Sequence, residues 1–150
     1  LIFRLLMAWT FLYAASHQVF VPNFSVAGFL SHTKTFHDLF APLTAPAVAP
    51  YVSFAVAYGH LLIGLSLLSG LFVRVSAPFG IALMLVYWMA HMDFPYIENV
   101  NNFLLDSHIV YAGVLVYLIA NKAGHVLGLD GLADTLPMVT RNGFLRALVG

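Results

Sequence analysis

Four long apolar runs, separated by shorter polar segments, dominate the pattern of hydrophobic and polar positions along the chain. Each run approaches the roughly 20 residues that a helix needs to cross a hydrocarbon core of about 30 Å. None alternates strictly between apolar and polar residues, so the runs predict helices rather than strands of a membrane barrel. We therefore predict an all-α integral membrane protein with a four-transmembrane-helix bundle. The predicted helices are Ile2 to Val21, Tyr51 to Val73, Ala77 to Met92 and Phe103 to Ala123.

The first loop, Pro22 to Pro50, has two halves of different character. In the first half, phenylalanine and leucine interleave with serine, lysine and histidine, which is typical of a short helix lying in the membrane interface. The second half is rich in proline, which lacks a backbone N–H and restricts the preceding residue, so we expect it to be irregular. No repeat or linker divides the sequence. We expect one domain over residues 1–150, of which about the last 18 residues form a tail.

Composition supports a membrane protein. The chain is 61% hydrophobic and 8% charged, with a mean hydropathy of +0.91, whereas a soluble domain carries about 25% charged residues. Six basic residues balance six acidic ones, so no overall field favours nucleic acid as a partner. The absence of cysteine excludes disulfides, thiolate zinc sites, cysteine-ligated iron–sulfur clusters and covalent haem attachment through cysteine.

The distribution of lysine and arginine predicts the orientation. With four crossings, five of the six basic residues fall on the face that carries both termini, and only Lys34 falls on the other. The positive-inside rule then places both termini in the cytoplasm and the first loop outside. Most histidines fall on the opposite, outer side. The five basic residues are Arg4, Arg74, Lys122, Arg141 and Arg146, and the outer histidines are His17, His32, His37, His91 and His108.

Two ionisable residues within the predicted membrane helices, His60 and Arg4, each allow two interpretations. His60 is eleven residues past Ala49, or about 16 Å into the membrane at 1.5 Å per residue. It is either a neutral histidine hydrogen-bonded across helices or a group that handles a ligand or a proton. Arg4, at the cytoplasmic start of the first helix, either extends its side chain to the headgroups or pairs with an acid or a quinone-type ligand.

An acid and a histidine, Asp106 and His108, open the fourth apolar run. Side chains two residues apart on a helix are separated by about 200° around its axis. We therefore expect these two side chains to point to nearly opposite faces and not to act as an adjacent pair. Asp106 either favours the positive end of the helix dipole, after a cap at Asn102, or serves as a functional acid on the outer face.

A stripe of larger side chains on the third predicted helix ends at the same membrane level. Helical spacing places Met84, Tyr87, Trp88 and His91 on one side. Such a stripe is either packing, with Trp88 part of an aromatic belt, or a wall that holds a quinone ring. No pair of histidines has a spacing that singles out a haem site, and no metal-ligand set is predicted.

The order and spacing of several motifs resemble the DoxX/DoxD family of small four-helix membrane proteins. The resemblance rests on "RLLMAWTFLYAA", "FSVAGFL", "GLSLLSGLFVR" from Gly64 to Arg74, and the Asp106–His108 start of the fourth helix followed by "GLDGL". DoxD-like members are associated with thiosulfate:quinone oxidoreductase, in which electrons from thiosulfate reach a membrane quinone and tetrathionate is formed. The resemblance thus implies the cytoplasmic (inner) membrane of a prokaryote.

Two functional hypotheses follow. In the first, the chain is the membrane subunit of a DoxD-like redox complex, which passes electrons from thiosulfate or a related sulfur donor toward membrane quinone. His91 and Asp106 are then the candidate catalytic residues, and His60, Trp88, His108 and Arg4 the candidate cofactor-binding residues. Quinone is the only cofactor expected in the chain itself. In the second, the chain is a noncatalytic accessory subunit of a larger respiratory or photosynthetic membrane complex. Both hypotheses expect a lipid bilayer and other membrane subunits as partners, and a transporter is a weaker third interpretation.

Overall fold

The computed structural model describes residues 1–149, which are mostly helical with one small sheet. In chain order the elements are α1 (Ile2–Val19), α2 (Ala27–Leu30), α3 (His37–Phe40), a 3₁₀ turn (Ala41–Thr44), α4 (Ala49–Ser69), α5 (Val73–Ala90), β1 (Met92–Asp93), β2 (Tyr96–Ile97), β3 (Asn99–Phe103), α6 (Ser107–Ala120), a second 3₁₀ turn (Ala123–His125), α7 (Leu129–Ala133), α8 (Pro137–Thr140) and α9 (Gly143–Val149). The four longest helices therefore occupy the four predicted apolar runs.

These four helices pack in a ring. α1 packs on α4, α4 on α5, α5 on α6, and α6 returns to α1. The core between them is apolar, with Phe11, Leu67, Ala77 and Leu115 almost fully buried. α4 approaches α1 closely at Gly64, where a Cβ atom would lie 2.7 Å from Cγ of Leu12. Any larger residue there would push the two helices apart.

The outer surface of the bundle is apolar. α4 and α5 are long and apolar enough to cross a membrane, and the 14-residue α6 is apolar but shorter. Only 33% and 28% of the most apolar windows of α4 and α5 are buried, whereas a core helix of a soluble protein would be buried over most of its length. Leu62 and Phe79, for example, are 65% and 67% exposed. The exposed apolar side chains are suited to contact with lipid.

The segment before α6 is a small sheet, not the start of a helix. β1, β2 and β3 are antiparallel, and Tyr96 pairs with Phe103. The predicted helix start at Phe103 and the predicted cap at Asn102 are therefore wrong. Pairing with β2 keeps Phe103 extended, and the helix begins only after Asp106, whose carboxylate accepts a hydrogen bond from the N–H of His108 at 3.0 Å.

The first loop contains two four-residue helices, α2 and α3, instead of one continuous helix. Between them the Thr33 hydroxyl donates to the Leu30 carbonyl, and the Thr35 N–H donates to the Met92 carbonyl, so the chain turns there to meet β1. The proline-rich half forms a 3₁₀ turn before α4. Pro50 lies in the first turn of α4, where a helix needs no N–H donor.

At the end of the bundle where α1 starts, Arg4 forms what we call the Arg4 network. Arg4 is 1% exposed, and its Nη1 donates to the carbonyls of Ala123 at 2.6 Å and Val126 at 3.0 Å, while Nη2 donates to Leu127 at 3.1 Å. The first of the two interpretations of Arg4, a side chain extended to the headgroups, is therefore wrong. The guanidinium instead satisfies carbonyls left free where the chain leaves α6.

Asp130 completes the same network from α7. Its Oδ1 accepts the N–H of Phe72 at 2.7 Å and its Oδ2 the N–H of Val73 at 3.2 Å, which caps the start of α5. Burial raises the pKa of the Asp130 carboxyl above its usual value, and these N–H groups, His125 and Arg4 oppose the rise. Gly70 has φ +68° beside the Arg4 guanidinium and Gly128, so a side chain there would be both strained and crowded.

The described part of the predicted tail, residues 133–149, folds against the bundle. It forms α8 and α9, and α9 packs on α5. Val139 and Val149 are buried there. These residues thus have an intramolecular packing role that the sequence pattern did not indicate.

Candidate functional site

A cavity of about 300 Å³ opens at the other end of the bundle, among α1, α4, α5 and α6. We call it the histidine cavity, because one histidine enters it from each of α4, α5 and α6. The turn between β2 and β3 contributes the only acid in its lining. The lining residues are Thr10, Phe11, Ala14, Gln18, His60, Met84, Tyr87, His91, Glu98, His108 and Tyr111.

Two of the three histidines are held by their own helices. His60 Nδ1 lies 2.8 Å from the Val56 carbonyl, and His91 Nδ1 lies 2.8 Å from the Tyr87 carbonyl. A carbonyl only accepts, so Nδ1 carries the proton and donates in both. In the neutral ring, Nε2 is then the nitrogen with a free lone pair. Backbone contacts one turn away thus set which nitrogen is available to a ligand.

His108 is held by the carboxylate of Asp106. Its Nδ1 lies 2.5 Å from Oδ2 of Asp106. The prediction that these two side chains cannot act as an adjacent pair is therefore wrong. Asp106 has φ −139° and ψ −169° and precedes the helix, so the 200° separation does not apply and its side chain turns back over the first turn. The carboxylate holds the proton on Nδ1, and Nε2 of His108 is again the free nitrogen.

Aromatic rings form one wall of the cavity. The ring of Tyr87 lies 5.6 Å from those of both His60 and His108, and it is nearly parallel to the latter, at 12°. His91 and His108 stack at 5.1 Å. These centroid distances are in the range of favourable ring contacts. The rings of Tyr87 and His108 are thus nearly parallel, the ring of His60 is tilted by 52° from that of Tyr87, and the imidazoles add ring nitrogens to this aromatic wall, which suits a ligand with an aromatic ring and polar oxygens.

A buried polar atom in the cavity has no partner. Oε1 of Gln18 is inaccessible to solvent and accepts no hydrogen bond within residues 1–149. Leaving a buried acceptor unpaired is costly, and such an atom is explained when a ligand or water supplies the donor. Over the same residues, no group of three or more histidine, aspartate or glutamate side chains is arranged to hold a metal ion.

Comparison with protein families identifies the chain. The family model for DoxX matches residues 1–92, more than half of the sequence. The chain belongs to the DoxX family. No curated protein and no solved structure matches this DoxX protein significantly.

The DoxX match covers three of the four helices that build the histidine cavity. It includes Gln18, His60, Tyr87 and His91, and it ends just after α5. His108 and its partner Asp106 lie beyond residue 92. The contact between His108 and Asp106 therefore lies outside the part of the chain that the family model matches.

The cavity brings together some of the predicted site residues and not others. His60, His91 and His108 line it, and Asp106 contacts His108 from behind. Trp88 lies outside the lining and donates its Nε1–H to the Leu104 carbonyl at 3.0 Å. Arg4 belongs to the Arg4 network near the opposite end of the four helices.

Two lining residues were missed in the sequence. Gln18 follows Ala14 and Thr10 at intervals of four, so helical spacing places it on the same face as them. A polar side chain at that position of an apolar helix could have identified Gln18 as a candidate site residue. Glu98 sits in a turn with φ +64°, and its N–H donates to the His91 carbonyl at 2.9 Å. Only the fold of the sheet brings Glu98 to the cavity, so no local pattern indicated it.

Proposed function

We propose that this DoxX protein is a quinone-binding subunit of a membrane redox complex and that the histidine cavity holds the quinone ring. The observation that carries the proposal is the convergence of His60, His91 and His108, each with Nδ1 engaged and Nε2 free. Oε1 of Gln18, which accepts no hydrogen bond within residues 1–149, and the aromatic wall with its ring nitrogens suit the oxygens and the ring of a quinone. A bound quinone supplies two-electron, two-proton redox chemistry.

The protein's own part is to hold the ring and to exchange protons. A neutral imidazole accepts a hydrogen bond at Nε2 from a hydroxyl, and a protonated one donates to a carbonyl. Asp106 keeps a proton on Nδ1 of His108, so that protons enter and leave this ring at Nε2. Glu98 is exposed where it lines the cavity and offers a carboxylate that connects it with solvent.

Electrons come from thiosulfate or a related sulfur donor through a partner subunit. The DoxD-like role implied by the sequence motifs supports this donor. The chain has no cysteine to ligate a cluster or form a redox disulfide. The partner therefore carries the sulfur chemistry.

The first test is ring binding. We expect the purified protein to bind a short-chain benzoquinone, and His60→Phe to weaken that binding at least about tenfold, because it removes the Nε2 acceptor and narrows the cavity. Quenching of the fluorescence of Trp9 and Trp88 measures it. The matched control is His32→Phe, an exposed loop position outside the cavity.

The ring-binding test separates the two functional hypotheses. Absence of saturable quinone binding to the unaltered protein would remove the redox proposal and leave the accessory subunit. Equal affinities of the unaltered protein and His60→Phe would show that the ring binds outside the histidine cavity.

We also propose that the four long helices all cross the membrane, with both termini in the cytoplasm. The helices run in alternating directions: the Arg4 network joins the start of α1 to the end of α6, and Gln18, His91 and His108 gather at the other end. The loop charges support the same orientation, since Lys34 is the only lysine or arginine that the sequence places outside.

The orientation predicts the labelling of two exposed positions. Ser31→Cys, in the first loop, should react with a membrane-impermeant maleimide in intact cells, and Asn142→Cys should react only after the membrane is opened. The natural chain contains no cysteine, so no background label is expected. Labelling of Asn142→Cys alone in intact cells would reverse the proposed topology.

A further inference from the structure

A second, wholly apolar cavity adjoins the histidine cavity. It has a volume of about 60 Å³ and lies between the first loop and helices α4 and α5. One water needs about 10–15 Å³ of such space, so the cavity has room for about five non-hydrogen atoms. An apolar cavity without hydrogen-bonding groups stays dry. Its lining contains Phe29, Leu30, Val52, Val56, Val86 and Tyr87, among other apolar residues.

Two aromatic side chains separate the two cavities. Tyr87 lines both of them. Phe29 lines the apolar cavity and contacts the polar one, with its ring 4.7 Å from that of His91 and 6.1 Å from that of Tyr87. Val56, on the apolar side, provides the carbonyl that holds His60 Nδ1. A ligand that reached past Phe29 and Tyr87 would therefore have a polar end among the histidines and an apolar end in the second cavity.

The apolar cavity also reaches the outside of the bundle. Phe29 and Val86, at its edge, are 36% and 46% exposed. Val86 lies on the surface of α5, a helix whose apolar face is turned outward. An apolar chain that entered at this edge would therefore meet only apolar lining.

We propose that the apolar cavity holds the first isoprene unit of a quinone's tail, so that the physiological ligand is a prenylated quinone that enters laterally between Phe29 and Val86. The inference rests on the quinone site proposed above. The five carbons of an isoprene unit match the room available, and the absence of polar lining groups excludes a hydroxylated or charged substituent. Phe29 and the first loop close over the tail and fix its direction.

The test compares a ring with and without its tail. Val52→Phe fills the apolar cavity from α4 without touching the histidine cavity. We expect it to weaken binding of a benzoquinone with two isoprene units by about tenfold, because the tail and the new ring compete for one space. Binding of the same ring with a methyl group in place of the tail should stay unchanged. Isothermal titration calorimetry in detergent micelles gives both dissociation constants and does not depend on the number of tryptophans in a variant.

Two further variants test whether a loss of binding comes from the filled cavity or from misfolding. Val86→Trp narrows the lateral opening at an exposed position and should give the same selective loss. Val116→Phe is the control: it introduces the same substitution, valine to phenylalanine, on the exposed face of α6 and away from both cavities. It should alter the affinity for neither the tailed nor the tail-free quinone.

Each outcome bears on one proposal. Selective loss of the tailed ligand in Val52→Phe and Val86→Trp supports the tail site. Equal affinities of Val52→Phe and the unaltered protein for the tailed quinone, or equal loss of both ligands, would overturn it while leaving the ring site in place. Failure of the unaltered protein to bind the tail-free ring would overturn the proposed function itself, and the tail site with it.

Discussion

Replacing Arg4 with alanine is expected to lower the free energy of unfolding by about 3–5 kcal/mol. The substitution removes three charge-assisted hydrogen bonds to the carbonyls of Ala123, Val126 and Leu127. It also leaves Asp130, 2% exposed, without the nearby cation that stabilises its charge. Leaving the three buried carbonyls without a donor costs more than the hydrogen bonds themselves contribute, and Asp130 keeps only the N–H groups of Phe72 and Val73 and the nearby His125. Unfolding in mixed micelles, followed by circular dichroism, measures the loss.

Two companion variants test the cause of that loss. Arg4→Lys keeps the positive charge but cannot reach three carbonyls with a planar fork, so we expect an intermediate loss. Arg146→Ala removes an exposed arginine of α9 and should change stability by less than about 0.5 kcal/mol. If Arg4→Ala unfolds at the same detergent composition as Arg146→Ala, the Arg4 network does not hold the helix ends together.

The second large effect is on turnover, not on stability. We expect Asp106→Asn to reduce quinone-coupled turnover of the assembled complex by about 10²-fold. The amide of asparagine can present a donor to Nδ1 of His108 where the carboxylate presents an acceptor, which would move the proton to Nε2. Asparagine is as good a helix N-cap as aspartate, so the start of α6 should be preserved.

The two readouts together distinguish a positioning residue from a structural one. Unfolding of Asp106→Asn should match the unaltered protein within about 0.5 kcal/mol, while its turnover falls because Nε2 of His108 then carries the proton and no longer accepts one. Asp38→Asn, an exposed acid of α3, is the matched control and should affect neither. Unchanged turnover in Asp106→Asn would restrict Asp106 to helix capping.

The histidine cavity shows how far local patterns lead toward a site. Hydropathy and spacing selected His60, His91 and His108 as candidates at or near the outer half of the bundle, and all three line one cavity. Trp88, selected from the same stripe, lies outside it, because its indole N–H is engaged by Leu104 at the sheet. A stripe of residues on a helix covers about 100° around the helix axis. The exact angle of each side chain within that stripe decides whether it faces the cavity.

By itself, the sequence determined the positions of the four long helices, because an apolar run of 14 to 21 residues satisfies its own backbone hydrogen bonds wherever the chain goes. It also determined family membership through the order of its motifs. Only the tertiary structure decided the partners of Arg4, which lie 119 to 123 positions away in the chain. It likewise decided that the sheet delays α6, which makes Asp106 a cap in contact with His108 instead of a residue on the opposite helix face. The partners of Arg4 and the late start of α6 both depend on contacts between segments that are brought together by folding. Local patterns in the sequence do not specify those contacts.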